Sequence, residues 1–384
     1  MESNSKDSIA IFTSAKRGLA HYAMQQWPYL LEKTKPIYIT FDREDVDNLV
    51  QSVIKSKNIK KLIDFSEQSS SILNIYNYCK KKKVKAALFQ VSDRMRNNVL
   101  YFTSLIGILK TLHIKVGFIL HEVLPYEVEF VGIDDLYLLY KLSDEFFVAN
   151  ENERYKLQSY FNRSKNYIHI IRHGVYSMFD KHRYDNVAAK KKLNISDKKM
   201  ILFFGQIRAH KKLSLLIDAV NRLKKMRNDY ILYIVSDLHL SSPKITQYLK
   251  EAKQKLGNRI RIVSRYLSSD NIELYFKAAD VVVLPYERVV QSGVLFLAVG
   301  FKRPFIITKS FYEADAVLGK KIGYVSKDNT SEELAILVNN VLNNPNEAEK
   351  QSDKAFRYYS ELNYWKQGAD KIIYHLLKNP LKNE

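Results

Sequence analysis

Two short segments of this 384-residue chain gather side chains and backbone suited to holding a diphosphate. The first is Gly205-Gln206-Ile207-Arg208-Ala209-His210-Lys211-Lys212, directly after the apolar run Ile201 to Phe204. A helical pattern follows it, with Leu213, Leu216, Ile217, Val220 and Leu223 on one face. Arg208 and Lys211 therefore fall in a strand-to-helix turn, on the side where α/β sheets bind ligands. Cations at a helix N-terminus oppose its dipole, so this placement costs stability unless an anion offsets it. The second segment runs from Val281 to Thr308. A buried strand, Val281 to Leu284, stops at Pro285, and the polar loop after it ends in Gln291-Ser292-Gly293, where an apolar helix begins at once. Such a turn leaves backbone N–H groups at the positive end of a helix dipole, a ready site for phosphate. A Ser-Gly pair also opens many helices merely as a cap. One basic pair in a basic chain is ordinarily solvated surface; two such turns together favour a diphosphate site.

Other residues could act on what the diphosphate carries. His121 follows a buried strand and precedes a loop with Pro125, and His173 stands with Gly174 at the next strand end. A lone histidine is usually structural, and the His173 segment could equally shape a hinge. Glu287 is the only carboxylate in the loop before Ser292, suited to accepting hydrogen bonds from a ligand or to plain surface. No Cys/His cluster has zinc spacing. The single Cys79 cannot form an intrachain disulfide, which fits a reducing cytoplasm. Lys80 to Lys83 beside it could lower its pKa, but a passive helical cysteine is the simpler reading.

The elements that must position these residues alternate. Strand patterns cover Ile9 to Phe12, Pro36 to Phe41, Ala86 to Val91, Val116 to Leu120, Glu145 to Ala149 and Ile168 to Ile171. Helical patterns between them cover Leu19 to Leu31, Ser71 to Lys82, Met95 to Leu112, Leu136 to Leu142 and Glu151 to Phe161. This alternation predicts a parallel sheet covered on both faces. A Lys-rich stretch at 180–199 reads as a linker, and a second alternating unit runs from Met200 to about Asn344. Thr330 with Glu333 predicts a capping box for its last large helix, and Pro345 breaks the pattern after it. The expected division is 1–179, linker 180–199, 200–355 and a helical tail 356–384.

FFGQIRAHKK, and PYERVVQSG running on to GFKRP, resemble the nucleotide-sugar site of GT-B glycosyltransferases, specifically the serine-glycine form of the donor loop in glycosyltransferase family 4. HEVLP at His121 to Pro125, IIRHGVYSMF at Ile170 to Phe179 and AADVVVLPY at Ala278 to Tyr286 resemble further family segments, in the right order over roughly residues 8 to 370. The resemblance implies two Rossmann-like domains facing a cleft. The first takes the acceptor and the second the donor, and a C-terminal helix near Trp365 crosses back to the first. It implies retaining, metal-independent transfer, with no cofactor beyond the nucleotide-sugar substrate. Arg208 and Lys211 would take the phosphates, with Gly205, Gln291, Ser292 and Gly293 completing the cradle. Gly18 would be a loop glycine facing the diphosphate, unless it is only a turn residue. His121 would face the donor sugar, His173 would lie on the acceptor side, and the backbone around Tyr266, between Arg265 and Leu267, would meet the base.

The chain departs from the family in the donor loop. Many members carry two glutamates there, eight positions apart; counting back from Pro304 they fall on Val289 and Leu297. The second normally receives the ribose hydroxyls, so ribose recognition is arranged differently. The usual glycine-containing strand end before the base site is also altered, to Ser236-Asp237-Leu238-His239.

Composition is consistent with an anionic partner. Sixty-one Lys and Arg against 41 Asp and Glu give a net charge of +20, while 46% hydrophobic residues exclude general disorder. The basic charge is local: residues 51–100 hold eleven Lys and Arg against three Asp and Glu, and residues 101–150 hold three against seven. With no spanning segment and a polar start, MESNSKDS, the expectation is a cytoplasmic protein that attaches peripherally to an anionic membrane and takes a glycan or lipid-linked acceptor. Two rival classes stand beside this. One is a catalytically silent GT-B subunit that binds a partner or glycan, suggested by the missing glutamates. The other is a basic nucleic-acid-binding protein, suggested by charge alone and lacking any recognition motif.

Overall fold

The computed structural model describes residues 6–40, 46–61, 63, 68–125, 132–237, 243–265 and 267–378. The chain forms two compact units, Met1–His173 with Tyr364–Glu384, and Gly174–Asn363. The first holds a seven-stranded sheet: β1 (Ser8–Thr13), β2 (Lys35–Thr40), β3 (Ile59–Lys60), β4 (Val84–Val91), β5 (Lys115–Leu120), β6 (Glu145–Val148) and β7 (Ile168–Ile170). Their order is β3-β2-β1-β4-β5-β6-β7, and every pairing is parallel. Helices on both faces bury the central strands, so β1 and β4 read as continuous apolar runs rather than alternating ones. Phe12 of β1 stacks on its register partner Phe89 of β4 at 4.2 Å. Six of the strands were legible as apolar runs. β3 was not, because it has only two residues and sits among lysines.

The pattern from Met95 to Leu112 proves to be two helices, Asp93–Arg96 and Val99–Lys110. Ser92 caps the first, and Arg96 is drawn to Glu122, 2.9 Å from its carboxylate, while Asn98 leaves the helical region. Cys79 is buried, and burial pushes its thiol up to about 12. Loss of solvation therefore outweighs the neighbouring lysines, and the thiol is inert at neutral pH.

In the second unit β8 (Lys199–Phe204), β9 (Tyr230–Ser236), β10 (Ile260–Ser264), β11 (Val281–Val283), β12 (Phe305–Thr308) and β13 (Tyr324–Ser326) form another parallel sheet, in the order β10-β9-β8-β11-β12-β13. Residues 180–199 are part of this unit rather than a linker. They carry helix Asn186–Lys192, whose buried Lys190 lies 2.7 Å from Asp280. Asp280 also accepts from the Met200 N–H, which fixes the start of β8. Residues 174–179 belong here as well: the Tyr176 N–H donates to the Phe296 carbonyl, and only a glycine at 300 leaves room for the Tyr176 carbonyl. Thr330 caps helix Ser331–Asn343 as expected, but the Glu333 side chain turns to Ser326 and the Lys327 and Asp328 amides, so it braces the preceding turn instead of completing a capping box. Pro345 opens the next helix, Pro345–Glu361, in its first turn, where a missing N–H costs nothing.

Residues 356–363 also stay with the second unit, and the return to the first begins at Tyr364. There helix Tyr364–Ile373 packs on helix Arg17–Lys33. Lys33 pairs with Asp370 at 2.6 Å, and at Gly368 a Cβ would stand only 3.3 Å from Gln26 Nε2.

Candidate active site

The strand order of the second sheet reverses between β8 and β11, and both phosphate-type turns leave the carboxyl ends of these two strands. That is the topological switch point, where the connections diverge and leave a crevice. Gly205 ends β8 with φ +98°, a left-handed conformation that a side chain would strain. A Cβ there would lie 3.4 Å from Lys211 Nζ and 3.5 Å from the Val294 side chain. The ammonium of Lys211 and the side chain of Val294, in the first turn of helix Gly293–Gly300, thus both border Gly205. Ser292 caps this helix through its hydroxyl, which accepts from the Leu295 N–H at 3.3 Å. Capping and anion binding are compatible here, since the Gly293 and Val294 amides find no acceptor among the described residues.

Positive charge crowds the turn. Among the described residues no carboxylate pairs with Lys211; its ammonium lies 5.3 Å from the Tyr286 ring centroid. Burial, then the Arg208 charge, lowers its pKa to about 8. His210 is lowered to about 4 by burial and by Lys211, Arg208 and Arg288. The Arg208 Nε donates to Gln206 at 3.3 Å. Tyr286 is buried, stacked on Phe311, and its carbonyl accepts from the Thr308 hydroxyl. Burial raises the Tyr286 phenol well above its usual range, against a hydrogen bond with Ser292. A neutral phenol and a half-buried ammonium therefore face the same turn.

Glu287 is exposed and pairs with Lys212 at 2.9 Å, while its N–H donates to the His210 carbonyl. The ion pair ties the β11 loop to the cationic turn. Gln291 is half-buried in that loop. Leu297, where the family resemblance places a carboxylate, is a buried core side chain at 6% exposure. Of the base region, Leu238, His239 and Tyr266 lie outside the described residues, and Ser236 and Leu267 are buried.

In the first unit the candidate residues gather around one that the sequence reading missed. Tyr22, buried on helix Arg17–Lys33, meets His121 edge to face at 4.8 Å, His173 at 5.6 Å and Trp365 at 4.8 Å. Gly18 lies one turn earlier, inside the first turn of that helix and not in a loop. A Cβ at Gly18 would meet nothing within 4 Å, so no steric demand requires glycine there; the positive φ falls on Arg17 instead. Hydrophobic periodicity hid Tyr22, since a buried tyrosine on a helix face reads as core.

Among the described residues one group has metal-ligand spacing: Glu145, His169 and His375, with donor atoms within 4.8 Å of one another. Lys115 already stands 2.9 Å from one oxygen of Glu145, and His169 stands 2.7 Å from the other. This buried carboxylate is charge-balanced by protein groups, and the residues fit a structural ion network better than a metal centre.

Residues 185–358 match the family model described as "Glycosyl transferases group 1". No curated protein matches the chain. A glycosyltransferase from Rickettsia africae is similar in structure, with TM-score 0.74 and 18% identity over 98% of this chain and 100% of that one. Anabaena HepE, solved with UDP and glucose, gives TM-score 0.74 at 13% identity over 97% and 100%. Sucrose-phosphate synthase from Thermosynechococcus elongatus gives 0.69 at 15% over 96% and 97%. The two parallel sheets are those of the GT-B fold, and residues 185–358, a little under half of the chain, match the group 1 glycosyl transferase model.

Proposed function

We propose that the chain moves a sugar from a nucleoside-diphosphate sugar to a glycan or lipid-linked acceptor, with retention at the anomeric carbon and without a metal, in surface polysaccharide or glycoconjugate synthesis. The observation that carries this reading is the Lys211 ammonium held over Gly205, a residue that the Val294 side chain in the first turn of helix Gly293–Gly300 also borders, with no carboxylate partner among the described residues. As the anomeric carbon gains oxocarbenium character, negative charge builds on the departing diphosphate. Lys211, Arg208 and the Gly293 and Val294 amides are fixed donors of the kind that stabilise such charge without reorganising. The arriving phosphate also restores Lys211 to its full charge, since a neighbouring anion favours the ammonium.

His121 serves the transfer step, and His173 serves the acceptor side. Glu287, held by Lys212, offers a carboxylate oxygen to a sugar hydroxyl. Without a glutamate at 297, the ribose is held by other groups of the same turns. The basic surface at Lys80 to Lys83 draws the protein to the anionic face of a membrane, where a lipid-linked acceptor would lie.

The test is a panel of UDP-, GDP-, ADP- and dTDP-sugars assayed for slow donor hydrolysis and for protection against thermal unfolding. One nucleotide family should do both. If none stabilises the protein and none is hydrolysed, the reading fails and a silent subunit takes its place.

A further inference from the structure

We infer that Tyr22 and Trp365 are positioning residues for sugar transfer: together they hold the imidazole of His121 in its working orientation. This deepens the role read for His121 above and rests on it. The Tyr22 ring stands perpendicular to His121, at 85° and 4.8 Å between centroids. The same ring also meets Trp365, at 78° and 4.8 Å, and His173, at 78° and 5.6 Å. Trp365 also lies 4.8 Å from His173. Tyr22 is 2% exposed and Trp365 is 5% exposed, so neither is placed to meet a ligand broadly. They act through the histidines.

An imidazole on the last residue of a strand-to-loop connection has free rotation about two bonds unless something packs on it. Edge-to-face pairing supplies the restraint, since the ring quadrupoles make one orientation better than the others by about 0.5–1.5 kcal/mol. Tyr22 cannot drift, because Trp365 closes its other side and Gln26 donates weakly to its hydroxyl at 3.5 Å. Helix Tyr364–Ile373 is in turn pinned to helix Arg17–Lys33 by the Lys33–Asp370 pair. The tail therefore reaches His121 through two rings. Burial keeps the phenol of Tyr22 neutral, with its pKa well above the usual range. The ring, rather than the hydroxyl, does the positioning.

The experiment compares His121→Ala, Tyr22→Leu, Tyr22→Phe, Trp365→Leu and the double variant Tyr22→Leu/His121→Ala in the full chain. The donor is UDP-glucose, or whichever sugar of the panel turns over fastest, and the product nucleotide is titrated by calorimetry. Tyr22→Leu and Trp365→Leu should each lower kcat about three- to tenfold. Nucleotide affinity should be unchanged, and Tyr22→Phe, which keeps the ring, should recover most of the rate. In the double variant the loss should be no greater than in His121→Ala alone, which a purely structural role would not produce. Should Tyr22→Leu unfold, Trp365→Leu and the proton NMR spectrum of the His121 ring carry the test. That ring should give one sharp, ring-current-shifted set of resonances in the parent protein and an averaged set in the variant. If His121→Ala is slow while both ring variants turn over at the parent rate, positioning is overturned and the role of His121 stands. If His121→Ala itself keeps the parent rate, the role of His121 falls and this inference falls with it.

Discussion

The imidazoles of His169 and His375 lie face to face, 3.4 Å between centroids and 18° from parallel, above the buried Glu145–Lys115 pair. Lys115 also donates to the His375 carbonyl at 2.7 Å, so the tail is bonded through the same network. Burial, followed by the neighbouring His169, lowers the His375 pKa to about 4. Hydrogen bonds from His169 and Lys115 hold Glu145 below the ordinary glutamate value despite its burial.

Acid should therefore loosen the fold in a defined window. His375 and His210 have folded pKa values near 4, below the ordinary 6.5, so the unfolded chain binds more protons between those limits. Stability is full above about pH 6.5 and falls as pH drops toward 4. His375→Gln should remove on the order of 1–2 kcal/mol of that acid loss. Melting temperatures from pH 7 to 4 measure it, and parallel curves for variant and parent would refute the assignment.

Lys211 gives the opposite window. Its folded pKa of about 8 lies below the ordinary 10.5, so the ligand-free protein is destabilised by this charge below pH 8 and relieved as pH rises toward 10.5. Lys211→Met should stabilise the ligand-free protein at pH 7 on the order of 1 kcal/mol, with the gain vanishing at high pH. Thermal melts at pH 7 and 10 decide this, and a loss of stability at pH 7 would mean that the ammonium is already satisfied.

Removing either cation of this turn should damage function. Arg208→Ala or Lys211→Ala should cost about 2–4 kcal/mol in transition-state terms, with the fold retained. In the parent protein nucleoside diphosphate affinity should weaken as pH rises above 8. Isothermal titration at pH 7 and 9 tests the second point, and unchanged transfer kinetics in both variants would remove the diphosphate site from these turns.

The anomeric configuration of the product should match that of the donor. Proton NMR on fresh product reads the coupling constant directly, and an inverted linkage would contradict the proposed retention.

Membrane attachment should be electrostatic. Lys80 to Lys83 are exposed beside the buried Cys79, and each well-placed lysine near an anionic surface gains about 1 kcal/mol. Co-sedimentation with phosphatidylserine vesicles should fade with salt and drop when these four become Gln. Equal binding to phosphatidylcholine vesicles would point to a soluble acceptor.

The elements were far more legible than the geometry. Apolar runs such as Ile9 to Phe12 and Phe305 to Thr308 announce buried parallel strands, and the turns after Phe204 and Leu284 were visible as changes of composition. Two things were not. Residues 180–199 look like a linker because lysines dominate, yet Lys190 is buried by an ion pair with a residue ninety positions away. Tyr22 and Trp365 meet across more than three hundred residues, and no local period records such a pairing. Gly18, which motif similarity makes prominent, lies in the first turn of helix Arg17–Lys33, where a side chain would meet nothing within 4 Å.

The return of Tyr364 and the residues after it to the first unit sets an order of manufacture. The 190 residues from Gly174 to Asn363 form a contiguous unit and can fold as they leave the ribosome. The first half must wait for them, roughly 10–40 s at about 5–20 residues per second, with the side of Tyr22 that Trp365 will cover still wet. The histidines beside Tyr22 are thus assembled late in synthesis, after the unit that carries Arg208 and Lys211. A nascent chain stalled before Tyr364 would carry the Arg208 and Lys211 turn within a contiguous unit while Tyr22, beside His121 and His173, still lacked its Trp365 neighbour.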